Sequence, residues 1–228
     1  MIPIKDNIRS VSFPFFNILL ILANIAVFSV ELRQPTAQAM QQFINKWALF
    51  SGPFVNDPFG NFYRVLSSMF LHGGWFHLIG NMLYLWVFGD NVEDRVGHIR
   101  YLLFYLTVGS AAMMAEVFLS PGVNAPMLGA SGAIAGIMGA YFVLYPRAKV
   151  MTAIPILIFL KFIEIPAIFF LGFWFIIQAF QGYGSLLTIA YGAKDMSGVA
   201  WWAHAGGFIA GVVFIFFFRK PQRKRLFS

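Results

Sequence analysis

Cysteine is absent from the 228 residues, which excludes disulfides and thiolate metal sites. Charge is scarce as well: Asp, Glu, Lys and Arg make up 11% of the chain, against about 25% in a soluble domain. Long polar stretches are missing, so no separate soluble domain can be drawn. Acidic residues are few, 9 against 16 basic ones, for a net charge of +7. Five of those bases crowd one tail, at Arg219, Lys220, Arg223, Lys224 and Arg225. Beside an apolar run such a cluster is a membrane-surface anchor. No basic stripe exists elsewhere, so nucleic acid is not expected as a partner.

What the chain does have is apolar length, at 59% hydrophobic residues. Spanning a bilayer takes roughly 20 apolar residues in a helix. Six candidates fit: Phe13–Val30, Met69–Phe88, Ile99–Leu119, a shorter Gly- and Ala-rich Ser131–Tyr145, Ile163–Phe180 and Ala200–Phe218. The apolar run Val150–Leu160 is short and holds Pro155, and reads as an interfacial or re-entrant connection. The expected fold is therefore all-α, a polytopic bundle of six transmembrane helices. It divides into a short N-terminus (1–12), the bundle (13–218) and the basic tail (219–228). A cleaved signal peptide fits poorly, because the A-x-A at Ala37–Ala39 lies far beyond the first apolar run.

Six spans place both termini on one side, and the basic tail assigns that side to the cytoplasm. Lys5, Arg9, Arg147 and Lys149 agree, while Arg33, Lys46 and Arg64 in the outer segment 31–68 dilute the rule.

Polar residues inside a membrane are costly and carry functional hypotheses. Helix two holds His72, His77 and Asn81, with His77 and Asn81 four apart on one face. Helix four opens with Gly129-Ala130-Ser131-Gly132, and helix six holds His204 about one turn in. In this topology the three sets meet in the outer half of the bilayer. A Ser beside a His is a nucleophile with a general base. Ser131 at a helix N-terminus adds free N–H groups to an oxyanion site, and His77 and Asn81 add further donors. Helix four carries small residues at four-residue spacing, Gly132, Gly136 and Ala140 and then Ala135 and Gly139, and helix six carries Ala203, Gly207 and Gly211, a pattern that lets membrane helices pack tightly. Taken singly each feature is ordinary, since a serine there is also a helix cap and a lone His a packing residue. Their joint depth favours chemistry. Three His without an accompanying acid or an HExxH pattern argue against a metal.

At these residues the chain resembles the rhomboid protease family. The serine motif GxSG is present at Gly129–Gly132, and the helix-six His with spaced glycines at His204, Gly207 and Gly211. The helix-two pattern is His72, His77 and Asn81, the aromatic-Arg pair is Tyr63-Arg64, and the acid after helix two is Glu93, followed by Arg95 and Gly97. The match covers about residues 60–215. The resemblance implies a Ser131–His204 dyad without a third carboxylate and without any cofactor. It implies an oxyanion hole from Asn81, His77 and the Ser131 backbone, with Gly129 and Gly132 shaping the loop. Its substrates are single-pass transmembrane proteins, cut near the outer face, alongside the lipids that surround the bundle. It also implies lateral entry beside helix five, where Phe173 and Trp174 are the bulky gate candidates. The short termini resemble bacterial members, which points to the inner membrane.

One departure stands out. Many members carry an aromatic residue four after the Ser, stacked on the His, and here that position is Ala135. Glu116 and Asp195 are the acids that could orient His204 as a third member, although Glu116 is better placed to reach interfacial water or a loop N–H. Two other classes remain in play: a catalytically silent rhomboid-like chaperone, which typically lacks the Ser or the His, and a small transporter, for which no internal repeat is visible.

Overall fold

The computed structural model describes residues 1–120, 125–156, 159–191 and 198–220. Asp195 and the tail bases Arg223, Lys224 and Arg225 lie outside the described residues. All six expected helices are present: α1 (Phe15–Leu32), α5 (Trp75–Val96), α6 (His98–Leu119), α7 (Ser131–Leu144), α8 (Ala167–Ala190) and α9 (Trp201–Phe218). Among the described residues, α1, α6, α8 and α9 are long and apolar enough to cross a membrane. In α7 the length falls short, and α5 is diluted by its own polar residues.

Local chemistry sets the boundaries. Pro14 precedes α1 and cannot continue a helix backwards. Helix α5 starts six residues later than Met69, because Gly73-Gly74 interrupts the chain and Gly74 sits at φ +152°. At its other end Gly97, φ +89°, turns the chain directly into α6. Between α1 and α5 the segment folds into three short helices, α2 (Ala37–Trp47), α3 (Ser51–Asn56) and α4 (Pro58–Ser67), and a 3₁₀ turn at Ser68–Phe70. Thr36 caps α2 by accepting from the Ala39 N–H at 3.1 Å, and Asp57 caps α4 from the Gly60 N–H at 3.0 Å.

The run Val150–Leu160 differs from the re-entrant expectation. Strands β2 (Lys149–Ile156) and β3 (Phe159–Pro166) form an antiparallel hairpin, and β1 (Ile2–Asp6) pairs with β2 as a third strand. Helix five accordingly begins at Ala167, not Ile163, since Pro166 still pairs opposite Lys149 in the ladder. The stretch is rich in β-branched and aromatic residues, and Lys149 Nζ reaches diagonally across it to Glu164 at 3.0 Å.

Helix α7 is the hub. Ten of its residues are buried, Gly132 through Tyr141, and it packs against α9, α6, α5 and α8. Its contact with α9 is backbone on backbone. A methyl on Gly207 would collide with the Gly132 carbonyl oxygen, and one on Gly211 with that of Gly136. In lipid no hydrophobic force drives helices together, so this close packing supplies the attraction. A second cluster, Leu49, Phe54, Val65, Met69, Met113, Val117 and Met127, binds the short helices to α6. An isolated bridge between Leu49 and Met127, and the Gly129 N–H donating to the Ser68 carbonyl at 2.8 Å, tie the loop before α7 to that cluster.

Candidate active site

Ser131 is the first residue of α7, where the N–H groups of the opening turn have no carbonyl ahead of them. Its Oγ lies 2.8 Å from His204 Nε2. Glycines at the α7–α9 crossing permit that distance: a methyl on Gly207 would collide with the carbonyl oxygen of Gly132, the residue after the serine. Gly129 adopts φ +123°, a conformation that L side chains rarely adopt, and any side chain there would strike the His77 ring at 2.7 Å. The serine loop is therefore pressed against α5 on one side and α9 on the other.

His77 and Asn81 line the same cavity as Ser131 and His204, a space of about 690 Å³. The Gly73 N–H donates to His77 Nδ1 at 3.3 Å, which leaves the ring proton on Nε2, the edge turned toward Gly129 and Ser131. The Asn81 amide nitrogen is buried and has no hydrogen-bond partner among the described residues. A buried donor without an acceptor costs about 1–3 kcal/mol, and this one is placed where an oxyanion could accept from it. His72 stands behind these groups, its ring 5.1 Å from that of His77, and its backbone N–H donates to Glu31 at 3.1 Å.

Of the acids singled out in the sequence, Glu116 and Glu93 have structural partners. Glu116 accepts from the Ala203 N–H at 2.9 Å and so caps the first turn of α9. Glu93 is fully buried, accepts from the Phe16 and Asn17 N–H groups at 3.0 and 2.7 Å, and meets His98 at 2.6 Å. It secures the start of α1. Tyr63 and Arg64 bond to one another at 3.0 Å on the surface of α4.

The group that does reach His204 was absent from the sequence reading. Gln178 Oε1 on α8 lies 2.7 Å from His204 Nδ1, and Gln178 is buried. The signal was available, since Gln178 is a polar residue in an apolar helix, one turn beyond Trp174. Of the two gate candidates, Trp174 faces inward, its ring 5.9 Å from His204 and 6.3 Å from Phe208. Trp201 adds an edge-on contact to His204 at 6.3 Å. These indoles cover the base where Ala135 supplies no ring. Phe173 points away from the cavity and is 52% exposed.

The Rhomboid domain profile matches residues 60–221. "Rhomboid protein 1, mitochondrial" of Saccharomyces cerevisiae is 26% identical over 81% of this chain and 49% of its own length. "Rhomboid-like protein 11, chloroplastic" of Arabidopsis thaliana is 27% identical over 73% of this chain and 56% of its own. "Rhomboid protease GluP" of Bacillus subtilis is 43% identical over 36% of this chain and 15% of its own. The chain thus spans about half the length, or less, of these curated relatives. With a polytopic helical membrane fold and a profile match over most of its length, the chain belongs to the rhomboid family.

Proposed function

We propose that this protein is an intramembrane serine endopeptidase that cleaves single-pass transmembrane proteins with a Ser131–His204 dyad. The observation that carries the reading is the 2.8 Å approach of Ser131 Oγ to His204 Nε2 beside a cavity. His204 Nε2 takes the hydroxyl proton as Oγ attacks the scissile carbonyl carbon, and a tetrahedral oxyanion forms. The N–H groups at the start of α7, the Asn81 amide and His77 Nε2–H are the donors for that oxyanion. His204 then returns the proton to the leaving amine, and water repeats the cycle on the acyl-enzyme.

Substrate enters from lipid. Helix α8 packs on α9 and α7 but scarcely touches α5 among the described residues, although both α5 and α8 line the cavity. That leaves the space between α5 and α8 as the lateral entrance, with Trp174 at its inner edge. Both termini lie in the cytoplasm, and cleavage falls near the opposite face. A C-terminal reporter active only outside the cytoplasm should stay silent.

The decisive experiment is fluorophosphonate labelling and cleavage of a single-pass substrate in detergent. Wild type should label and cleave, and Ser131→Ala should do neither while folding normally. An unlabelled wild type that still binds membrane proteins would replace the protease with a silent rhomboid-like binder.

A further inference from the structure

A base in a dyad has an orientation problem. His204 Nε2 can accept the Ser131 proton only if the ring carries its own proton on Nδ1. That tautomer needs an acceptor at Nδ1, and without one the ring is free to hold the proton on the wrong nitrogen or to rotate. Of the two acids considered from sequence, Glu116 caps α9, and Asp195 lies outside the described residues. Gln178 does face Nδ1. Its carbonyl oxygen lies 2.7 Å away, it is 7% exposed, and it comes from a different helix, 26 residues upstream of the His.

We infer that Gln178 is the positioning residue for the base, holding His204 in the Nδ1–H tautomer through a side-chain carbonyl in place of a carboxylate. The inference rests on the dyad reading above and deepens it. A neutral amide suits this depth, because an ionised carboxylate would be costly there, whereas an amide oxygen accepts without charge. An amide also does not titrate, so the bond persists over the working pH range. It stabilises the imidazolium less than a carboxylate does.

The placement has a second consequence. Gln178 rides on α8, the same helix that bears Trp174 one turn earlier. Serine and histidine sit on α7 and α9, whose backbones touch. Movement of α8 away from α9 therefore lengthens the Gln178–His204 bond while leaving the Ser131–His204 distance in place. The base is oriented only when α8 is closed, so catalysis follows re-closure of the helix around the entered substrate.

The test uses the full chain in detergent, labelled with ¹⁵N-histidine, alongside kinetics and fluorophosphonate labelling. In wild type, His204 should show a protonated Nδ1 and an unprotonated Nε2. Gln178→Ala should mix the tautomers and lower kcat by about 10- to 100-fold with KM nearly unchanged. Gln178→Glu, of the same shape, should recover most of that kcat. It should also move the acidic limb of the kcat/KM profile upward by about one pH unit, because a nearby anion favours the imidazolium. Wild-type kcat with an unchanged His204 tautomer in Gln178→Ala would overturn the positioning role and leave the dyad standing. A wild type that neither labels nor cleaves removes the dyad reading, and the positioning role with it.

Discussion

The two helices that flank the base are packed in opposite ways. Helix α7 meets α9 through glycines, with Gly132 and Gly136 carbonyls against Gly207 and Gly211, and a ring contact between Phe142 and Phe208 farther along. Helix α8 meets α9 through large side chains: Phe175 stacks on Phe208 at 5.0 Å, and Trp174 leans on His204 and Phe208. Rings can slide and change rotamer, but touching backbones cannot. The difference separates two duties. Nucleophile and base are fixed to each other by the rigid pair, while entry of substrate is left to the yielding one.

The strongest way to break this contrast is to separate the rigid pair. Gly211→Val puts branched carbons against the Gly136 carbonyl, and overpacking of this kind costs about 1–3 kcal/mol. A displacement of about 1 Å at the dyad costs about 10²-fold in rate, so we expect more than that loss together with a lower unfolding temperature. Near-normal cleavage by Gly211→Val would mean that the α7–α9 contact does not set the dyad distance.

Next in size is the third wall of the cavity. Asn81→Ala removes the unpartnered buried amide, and loss of one oxyanion donor costs about 10²–10³-fold. Several donors share the charge, so the lower end is expected, in kcat and not in KM. A raised KM with kcat intact would make Asn81 a substrate contact.

The loose pair should respond more mildly and in the other sense. Trp174→Leu opens the inner edge of the entrance and should raise cleavage of membrane-embedded substrates by about two- to fivefold, with little change for a soluble peptide. Phe173→Leu, on the exposed face, should change neither rate. Equal gains on both substrates would indicate altered alignment of His204 and not entry.

These contrasts were unevenly legible in the sequence. Periodicity and apolar character disclose all six helices of the bundle, because spans must satisfy their own backbone in lipid. The site residues Ser131, His204, His77 and Asn81 are polar residues in apolar surroundings, and the spacing of small residues foretells where α7 and α9 touch. The β-hairpin was hidden. Val150–Leu160 is a short apolar run, and such a run cannot be told from a helical or re-entrant segment without its partner strands. One partner, β1, lies almost 150 residues away, and its pairing depends on Ile2 meeting Ala153 and Asp6 meeting Val150. Gln178 was visible as a residue but not as a partner, since which side chain faces His204 depends on how α8 is rotated.

The smallest effect tests the end of the molecule farthest from the chemistry, where β1 is fastened to the bundle. Asp6 accepts from Asn91 at 2.9 Å and from the Tyr141 hydroxyl, and its other oxygen takes the Ile8 N–H at 3.2 Å. Burial raises its pKa from 3.8 to about 6, against the opposing pull of the Tyr141 hydrogen bond, and the nearby Asp90 adds to the rise. The folded state therefore holds this proton more tightly than the unfolded chain. Between about pH 4 and pH 6 the fold binds more protons than the unfolded state, so this contribution to stability is full below pH 4 and is lost as pH rises through 6. An acid held in this way works as a latch for β1 that is strongest when protonated. Asp6→Asn keeps the shape and removes the titration. The unfolding temperature of the variant should rise relative to wild type, by a few degrees, between pH 4 and pH 7. Labelling of Ser131 should be the same in both proteins, because the rigid α7–α9 pair does not depend on how β1 is held. A gap between the two unfolding curves that stays constant with pH would show that Asp6 is not held as a neutral acid, and the latch would have to rest on the β1–β2 ladder alone.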